Sequence, residues 1–242
     1  MEDWLIRTEL LLGRDTVEKL RSKRVAVVGL GGVGAYASEM IARAGIGSMI
    51  ILDSDVINSS NKNRQLLALD STSGLQKAEI MAARLRDINS GIDLHVVTEF
   101  LDEENVARLL NYEGIDYIVD AIDTLSPKIA LIKYALSSGI PIVSSMGAGA
   151  KLDATKLEVA DISKSYNCPL AYMLRKRLRK EGINKGFKVV FSKELPDGNA
   201  IVPVEEQNKK SIVGTISYLP AVFGAICAQV VICHFIDYPG KI

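Results

Sequence analysis

Val25-Ala26-Val27-Val28-Gly29-Leu30-Gly31-Gly32-Val33-Gly34-Ala35 decides the fold: an apolar run, a glycine cluster, then the start of an amphipathic run. A buried parallel strand that turns sharply into a helix leaves backbone N–H groups unpaired at the helix start, and glycines let a phosphate approach them. The next apolar run, residues 48–52, ends at Asp53, near the spacing expected of an acid that grips a ribose hydroxyl. Nucleotide binding follows, but not which nucleotide, since Gly29, Gly31 and Gly34 alone suit a dehydrogenase equally well.

Outward from this motif, strand-like runs at 24–29, 48–53, 94–98, 116–120 and 140–144 alternate with helical runs at 32–44, 74–89, 102–110 and 127–138. The alternation predicts an α/β fold with a doubly wound, mostly parallel Rossmann-like sheet. From about Lys151 the pattern loosens into a C-terminal α+β extension: a strand at 157–162, a basic helix at 169–181, a strand at 188–192 and a polar loop at 196–210. We expect a nucleotide-binding domain over 1–150, opened by an N-terminal helical arm, and an extension over 151–242.

Composition bounds the function. The chain has 242 residues, 48% of them hydrophobic, and a net charge of zero. Residues 1–14 carry acids and no apolar core segment, so no cleavable signal is read there. Cys168, Cys227 and Cys233 form no Cys-x-x-Cys pair, which argues against a disulfide framework or a four-cysteine zinc site and fits a reducing cytoplasm. Between Lys164 and Lys193 nine basic residues, among them Arg175, Arg177, Arg179 and Lys180, face the single acid Glu181. That asymmetry suits a polyanion contact or a solvated helix face. Residues 212–236 contain no Asp, Glu, Lys or Arg and are long enough for a membrane span. Pro220, Gln229 and His234 inside the run favour a buried or subunit-interface helix over 221–236 rather than a membrane anchor.

The polar stretch after Asp53 carries the chemistry. Asp55, then Asn58-Ser59-Ser60-Asn61-Lys62-Asn63-Arg64-Gln65, is too polar for core. Asn side chains can hold sugar and phosphate, and Arg64 is a planar donor that pairs with phosphate oxygens two at a time. Lys77 sits at the start of the next helix, where a cation adds to the positive end of the dipole and calls for an anion. Asp123, just past the fourth strand, points toward the same crevice, where a carboxylate is best explained by magnesium. Two cations, an Asn-rich segment and two acids describe a triphosphate with its metal, ATP and Mg2+, which NAD would not require.

With those residues in place, the chain resembles the ubiquitin-activating-enzyme-like superfamily of adenylating enzymes. The matched positions are Gly29, Gly31, Gly32 and Gly34, Asp53 and Asp55, Ser60, Asn61, Arg64 and Gln65, then Lys77 and Asp123. The resemblance implies that Asp53 takes the ribose hydroxyls, that Asn61, Arg64 and Lys77 hold the phosphates, and that Asp123 carries the magnesium. Arg7 stands where these enzymes often send an arginine into the partner subunit's site, which implies a homodimer; it reads equally well as a surface arginine.

Later segments narrow the resemblance to the tRNA threonylcarbamoyladenosine dehydratase family: Arg7-Thr8-Glu9-Leu10-Leu11, Ser144-Ser145-Met146-Gly147-Ala148, Ala160-Asp161-Ile162-Ser163-Lys164 and Val190-Phe191-Ser192. The chain departs from it at Asn167-Cys168, where an Asp usually precedes Pro169, so no role is given to that acid and Cys168 is not read as a nucleophile. The family's reaction implies AMP transfer to the threonine carboxylate of the modified adenosine beside the anticodon, then ring closure from within the side chain. The partner is then a tRNA, with Arg175, Arg177, Arg179 and Lys180 against its phosphates. One rival is an adenylating enzyme for a small sulfur-carrier protein, a class that commonly carries two Cys-x-x-Cys pairs. Another is an NAD-dependent oxidoreductase or a non-catalytic nucleotide scaffold, which would leave Arg64, Lys77 and Asp123 unexplained. A sulfur-transfer partner protein stays open.

Overall fold

β1 (Arg24–Val28) is an interior strand of the computed structural model, which describes residues 3–206 and 209–240. It pairs in parallel with β2 (Ser48–Leu52) on one side and with β4 (Tyr117–Asp120) on the other. β3 (Asp93–Val97), β5 (Ile142–Ser145), β7 (Lys188–Ser192) and β6 (Leu157–Asp161) complete seven strands in the order β3-β2-β1-β4-β5-β7-β6. Only β6 runs antiparallel, against β7. The expected doubly wound sheet is thus present, and the switch in winding direction falls between β1 and β4, where such sheets bind ligands at the carboxyl ends of the strands.

Four apolar strands in a row leave both faces to be covered. One face carries α2 (Arg14–Arg21), α3 (Gly34–Arg43), α4 (Lys77–Ile88) and α8 (Tyr218–Phe235); the other carries α5 (Val106–Leu109), α6 (Leu125–Ser137) and α7 (Pro169–Lys180). β6, β7 and α8 come from the stretch after residue 150, yet they extend the same sheet and the same core. α8 is long and apolar enough to cross a membrane, but Leu219, Phe223, Cys227, Val230 and Val231 bury it against α3 and the sheet. Gly224 makes that packing close: a Cβ there would overlap the carbonyl oxygen of Val33 and come within 2.9 Å of Tyr36 Cβ. α8 begins at Tyr218 rather than 221, because Pro220 is tolerated in a first turn whose N–H groups have no helical acceptor.

Three expectations fail for local reasons. The helix read over 102–110 is only Val106–Leu109: Asp102 accepts from the amides of Glu104 and Asn105 while Asn105 accepts from Asp102, a turn that replaces the first helical turn. The helix read from 74 starts at Lys77, since Gly74 has positive φ and Gln76 bridges back to Val56. The polar loop read over 196–210 is an antiparallel hairpin, β8 (Ile201–Glu206) with β9 (Lys209–Val213), whose open end pairs the β-branched residues Ile201 with Val213 and Val202 with Ile212. Residues 207 and 208 lie outside the described chain.

α1 (Ile6–Leu12) is the N-terminal arm. Leu5 anchors it under Gly45, while α1 itself buries nothing and leaves Leu10 and Leu11 more than four-fifths exposed.

Candidate active site

The glycine turn is a steric necessity before it is a binding site. Gly29 has φ +88° with its N–H on the carbonyl of Leu52, and a Cβ on Gly34 would overlap the carbonyl oxygen of Gly29. At Gly31 a Cβ would meet only Gln65 Nε2, at 3.6 Å, so this side of the turn opens toward the polar segment. Gly32 packs on Pro220 and on Arg64, which ties the loop to the start of α8 and to that same segment.

Asp53 stands at the carboxyl end of β2. Its carboxylate accepts from the amide of Leu30 at 2.6 Å and from that of Asp55 at 2.8 Å, so it braces the glycine loop and keeps its remaining lone pairs for a ligand. Burial raises its carboxyl above the ordinary range, against the opposing pull of the Lys77 cation and the two amides. Lys77, 5% exposed, opens α4 and donates to Asp55 at 2.7 Å. The anion that the sequence reading sought in a ligand is therefore supplied within the chain: Asp55 holds Lys77 in place, and a phosphate would share or replace that contact.

Ser59–Asn61 form a single 3-10 turn above Ile57. Asn61 accepts from the amide of Asn58 with its side-chain oxygen, leaving its NH2 free. Arg64 donates to the carbonyl of Ser60 at 3.1 Å and to Asn63 at 2.8 Å, and Asn63 in turn donates to the carbonyl of Thr215. Gln65 and Gln76 each bury a side-chain oxygen that has no hydrogen-bond partner among the described residues. Of these two acceptors Gln65 lies beside Gly31, and a buried acceptor there suits a ligand that brings amine or hydroxyl donors, as the adenine and ribose of a nucleotide do.

Asp123 is exposed in the loop after β4, free of any ion pair among the described residues. That loop is shaped from beneath by Lys128, a residue to which the sequence alone assigns no role. Lys128, fully buried in α6, pairs with Asp120 at 2.9 Å and donates to the carbonyl of Ile122 at 2.8 Å; Asp120 also accepts from Ser144 and from the amide of Ile122. The one available signal was a lysine inside the apolar run Leu125–Ser137.

Two sets of predicted residues stand apart. Arg7, two residues beyond Leu5, lies near Gly45 at the amino edge of the sheet, and the ten residues of α3, about 15 Å, separate that edge from the glycine loop. On α7, Arg177, Arg179 and Lys180 are exposed and pair with no carboxylate among the described residues, whereas Arg175 is half-buried and donates to the carbonyl and hydroxyl of Ser165.

The same arrangement of loop, sheet and helices occurs in known proteins. A model of the ThiF family matches residues 5–241. The tRNA threonylcarbamoyladenosine dehydratase of Bacillus subtilis is 45% identical over 190 residues, 78% of this chain and 74% of that protein. The Escherichia coli enzyme of the same name is 41% identical over 194 residues, 77% of this chain and 72% of that protein. A crystal structure of the latter with ATP superposes with a TM-score of 0.87 at 35% identity, covering 96% of this chain and 93% of that one. With a family model that runs almost end to end and a glycine loop, Asp53 and Lys77 assembled at the switch point of its sheet, the chain belongs to the ThiF family.

Proposed function

We propose that this protein is an ATP-dependent tRNA threonylcarbamoyladenosine dehydratase. One observation carries the reading: the glycine turn, Asp53, Arg64, Lys77 and a buried Gln65 oxygen without a partner among the described residues stand at the switch point of the sheet, in a chain whose relatives of that name match along three quarters of their length. ATP lies with its phosphates on the amides of the Gly29–Gly34 turn and its ribose on Asp53. Ser60, Asn61, Arg64 and Gln65 close over it, and Lys77, steered by Asp55, reaches the phosphates.

Asp123 with the phosphate oxygens would hold Mg2+, whose usual sites need only one or two carboxylates beside a nucleotide. It fits that Asp123 is exposed and that the described residues include no cluster of three metal-ligating side chains. When bound, the ion would neutralise charge on the departing pyrophosphate.

The threonine carboxylate of the substrate attacks the α-phosphorus, and pyrophosphate leaves. A nucleophile within the same modified side chain then attacks the acyl carbon, a ring closes, and AMP departs with the carboxylate oxygen; the net change is loss of one water. An intramolecular attack has an effective molarity of order 10⁵ M or more, so no cysteine relay is needed. Burial pushes the Cys227 thiol up to about 12 and raises that of Cys233, which suits neither as a nucleophile.

We assign ATP to residues 1–150 and the tRNA surface to 151–242. Arg177, Arg179 and Lys180 lie about 12 Å along α7 from its first turn, a span that lets tRNA phosphates rest there while one nucleotide enters the crevice. A homodimer is supported by the exposed Leu10 and Leu11 and by Arg7, whose neighbour Leu5 packs on Gly45 at the opposite end of α3 from the glycine loop. The free cysteines and the packed α8 support a protein of the reducing cytoplasm.

The test is mass spectrometry of nucleosides after the protein, ATP and Mg2+ act on threonylcarbamoylated tRNA. Loss of one water from the modified nucleoside is expected. An intact nucleoside, together with pyrophosphate exchange driven by a small protein ending in Gly-Gly, would transfer the assignment to sulfur-carrier activation.

A further inference from the structure

Lys151 is a buried cation that the nucleotide site does not use. It follows β5 at the carboxyl edge of the sheet, is 4% exposed, and takes part in no ion pair among the described residues. Its amine has one marginal contact, the carbonyl of Gly147 at 3.5 Å, which is beyond ordinary hydrogen-bonding range. Glu194, the acid whose charge acts on this amine, is committed elsewhere: it accepts from the amides of Leu152 and Asp153 at 2.7 to 3.1 Å. A buried ammonium with three donors and so little to receive them costs free energy unless an anion arrives. Burial accordingly lowers the Lys151 pKa, with Cys168 and Glu194 acting in the other direction.

The surroundings of Lys151 are built for an anion. Gly147 abuts the first turn of α7: a Cβ there would lie 3.7 Å from Cys168 Sγ and 3.9 Å from Leu170 Cβ. Cys168 is the N-cap of this twelve-residue helix and makes no side-chain capping bond, so the first turn of α7 lies uncapped beside Gly147, whose carbonyl is the one the Lys151 amine contacts. Gly147 stands at the start of the half-exposed run Gly147-Ala148-Gly149. The place is also continuous with the nucleotide crevice. β5 is two strands from β1, about 10 Å. The start of α8 spans that gap, with Pro220 against Gly32 and the Tyr218 hydroxyl on the carbonyl of Leu152 at 2.8 Å.

We propose that Lys151 and the uncapped first turn of α7 form the subsite for the carboxylate that is to be adenylated. This rests on the dehydratase reading and adds to it the group that recognises the acid. The site explains how a substrate with many phosphates can be chosen by a single carboxylate: the phosphates are read on the far end of α7, the carboxylate at its start.

The test compares binding of three tRNAs without ATP: threonylcarbamoylated, unmodified, and the threonylcarbamoylated form as its methyl ester. Wild-type protein should prefer the acid over both others by about 10- to 100-fold, the range for a hydrogen bond to a charged group. Lys151→Met, and Lys151→Gln as a variant that retains a polar head, should erase that preference while leaving affinity for unmodified tRNA and the rise in Tm with ATP unchanged. Variants that keep the wild-type preference would overturn the subsite. So would wild-type protein that binds ester and acid equally, a result that needs no variant to fold. A wild-type protein that dehydrates the nucleoside while the variants do so with unchanged KM removes only this inference; a wild-type protein that leaves the nucleoside intact removes the dehydratase reading itself.

Discussion

Lys128 Nζ lies 2.9 Å from Asp120 Oδ2 with both side chains fully buried, and the same amine holds the carbonyl of Ile122. One ion pair thus connects α6, the end of β4 and the loop that presents Asp123. Removing one member of a buried pair strands the other, at a typical cost of about 3–5 kcal/mol. Lys128→Met should lower the unfolding free energy by about that much in urea titration, and combining it with Asp120→Asn should recover part of the loss.

Lys77 and Asp123 separate binding from structure. Lys77→Ala should abolish dehydration and also reduce stability, because Asp53 and Asp55 lose their cation. Asp123→Ala, at an exposed position, should leave the unfolding free energy within about 0.5 kcal/mol of wild type while the rate falls by about 100-fold or more. Paired Tm and turnover measurements check both; an active Asp123→Ala enzyme would remove the carboxylate from the metal role.

Salt dependence reports on α7. Replacing Arg177, Arg179 and Lys180 together by Ala should weaken tRNA binding and flatten the log–log salt slope by about two to three, one unit or slightly less per phosphate contact. The rise in Tm with ATP should not change. Arg175→Ala is expected to behave differently, lowering stability through its lost bonds to Ser165.

Glu39 gives a pH signature. Burial alone would raise its carboxyl, but hydrogen bonds from Arg84 and Arg43 more than offset this and leave it below the ordinary range. A depressed carboxylate pKa adds stability above the unfolded value, near 4.3 by the usual reference of about that figure, and the gain is lost as pH falls through the folded value. Glu39→Gln should therefore be less stable than wild type by about 1 kcal/mol at pH 7, with the gap closing below about pH 4.

Gly224 tests the seat of α8. Its Cβ would overlap the carbonyl of Val33, so Gly224→Ala should cost about 1–3 kcal/mol through overpacking, despite alanine's better helix propensity. A neutral result in urea titration would mean that α8 can shift on α3.

What the sequence by itself determined is the part governed by local periodicity. Apolar runs at Arg24–Val28, Ser48–Leu52 and Lys188–Ser192 have only one way to bury both faces, and Gly29 to Gly34 has only one tight turn to make, so strands, winding and nucleotide loop were legible with ends misplaced by a few residues. Where side chains compete with the backbone for hydrogen bonds, as at Asp102 and Asn105, periodicity misleads, and the β8–β9 hairpin reads as a loop because the charged residues Glu205, Glu206, Lys209 and Lys210 at its turn interrupt short β-branched runs. The tertiary structure alone decided which charges meet. Lys77 is answered by Asp55, 22 positions away; Lys128 finds Asp120 under the Asp123 loop; Arg175 is tied to Ser165 while Arg177 and Arg179 meet no carboxylate among the described residues; and Lys151 is left buried with no ion pair among them. Charge pairing acts over a few ångströms in space and has no period along the chain, so it becomes visible only once the strands have placed those residues side by side.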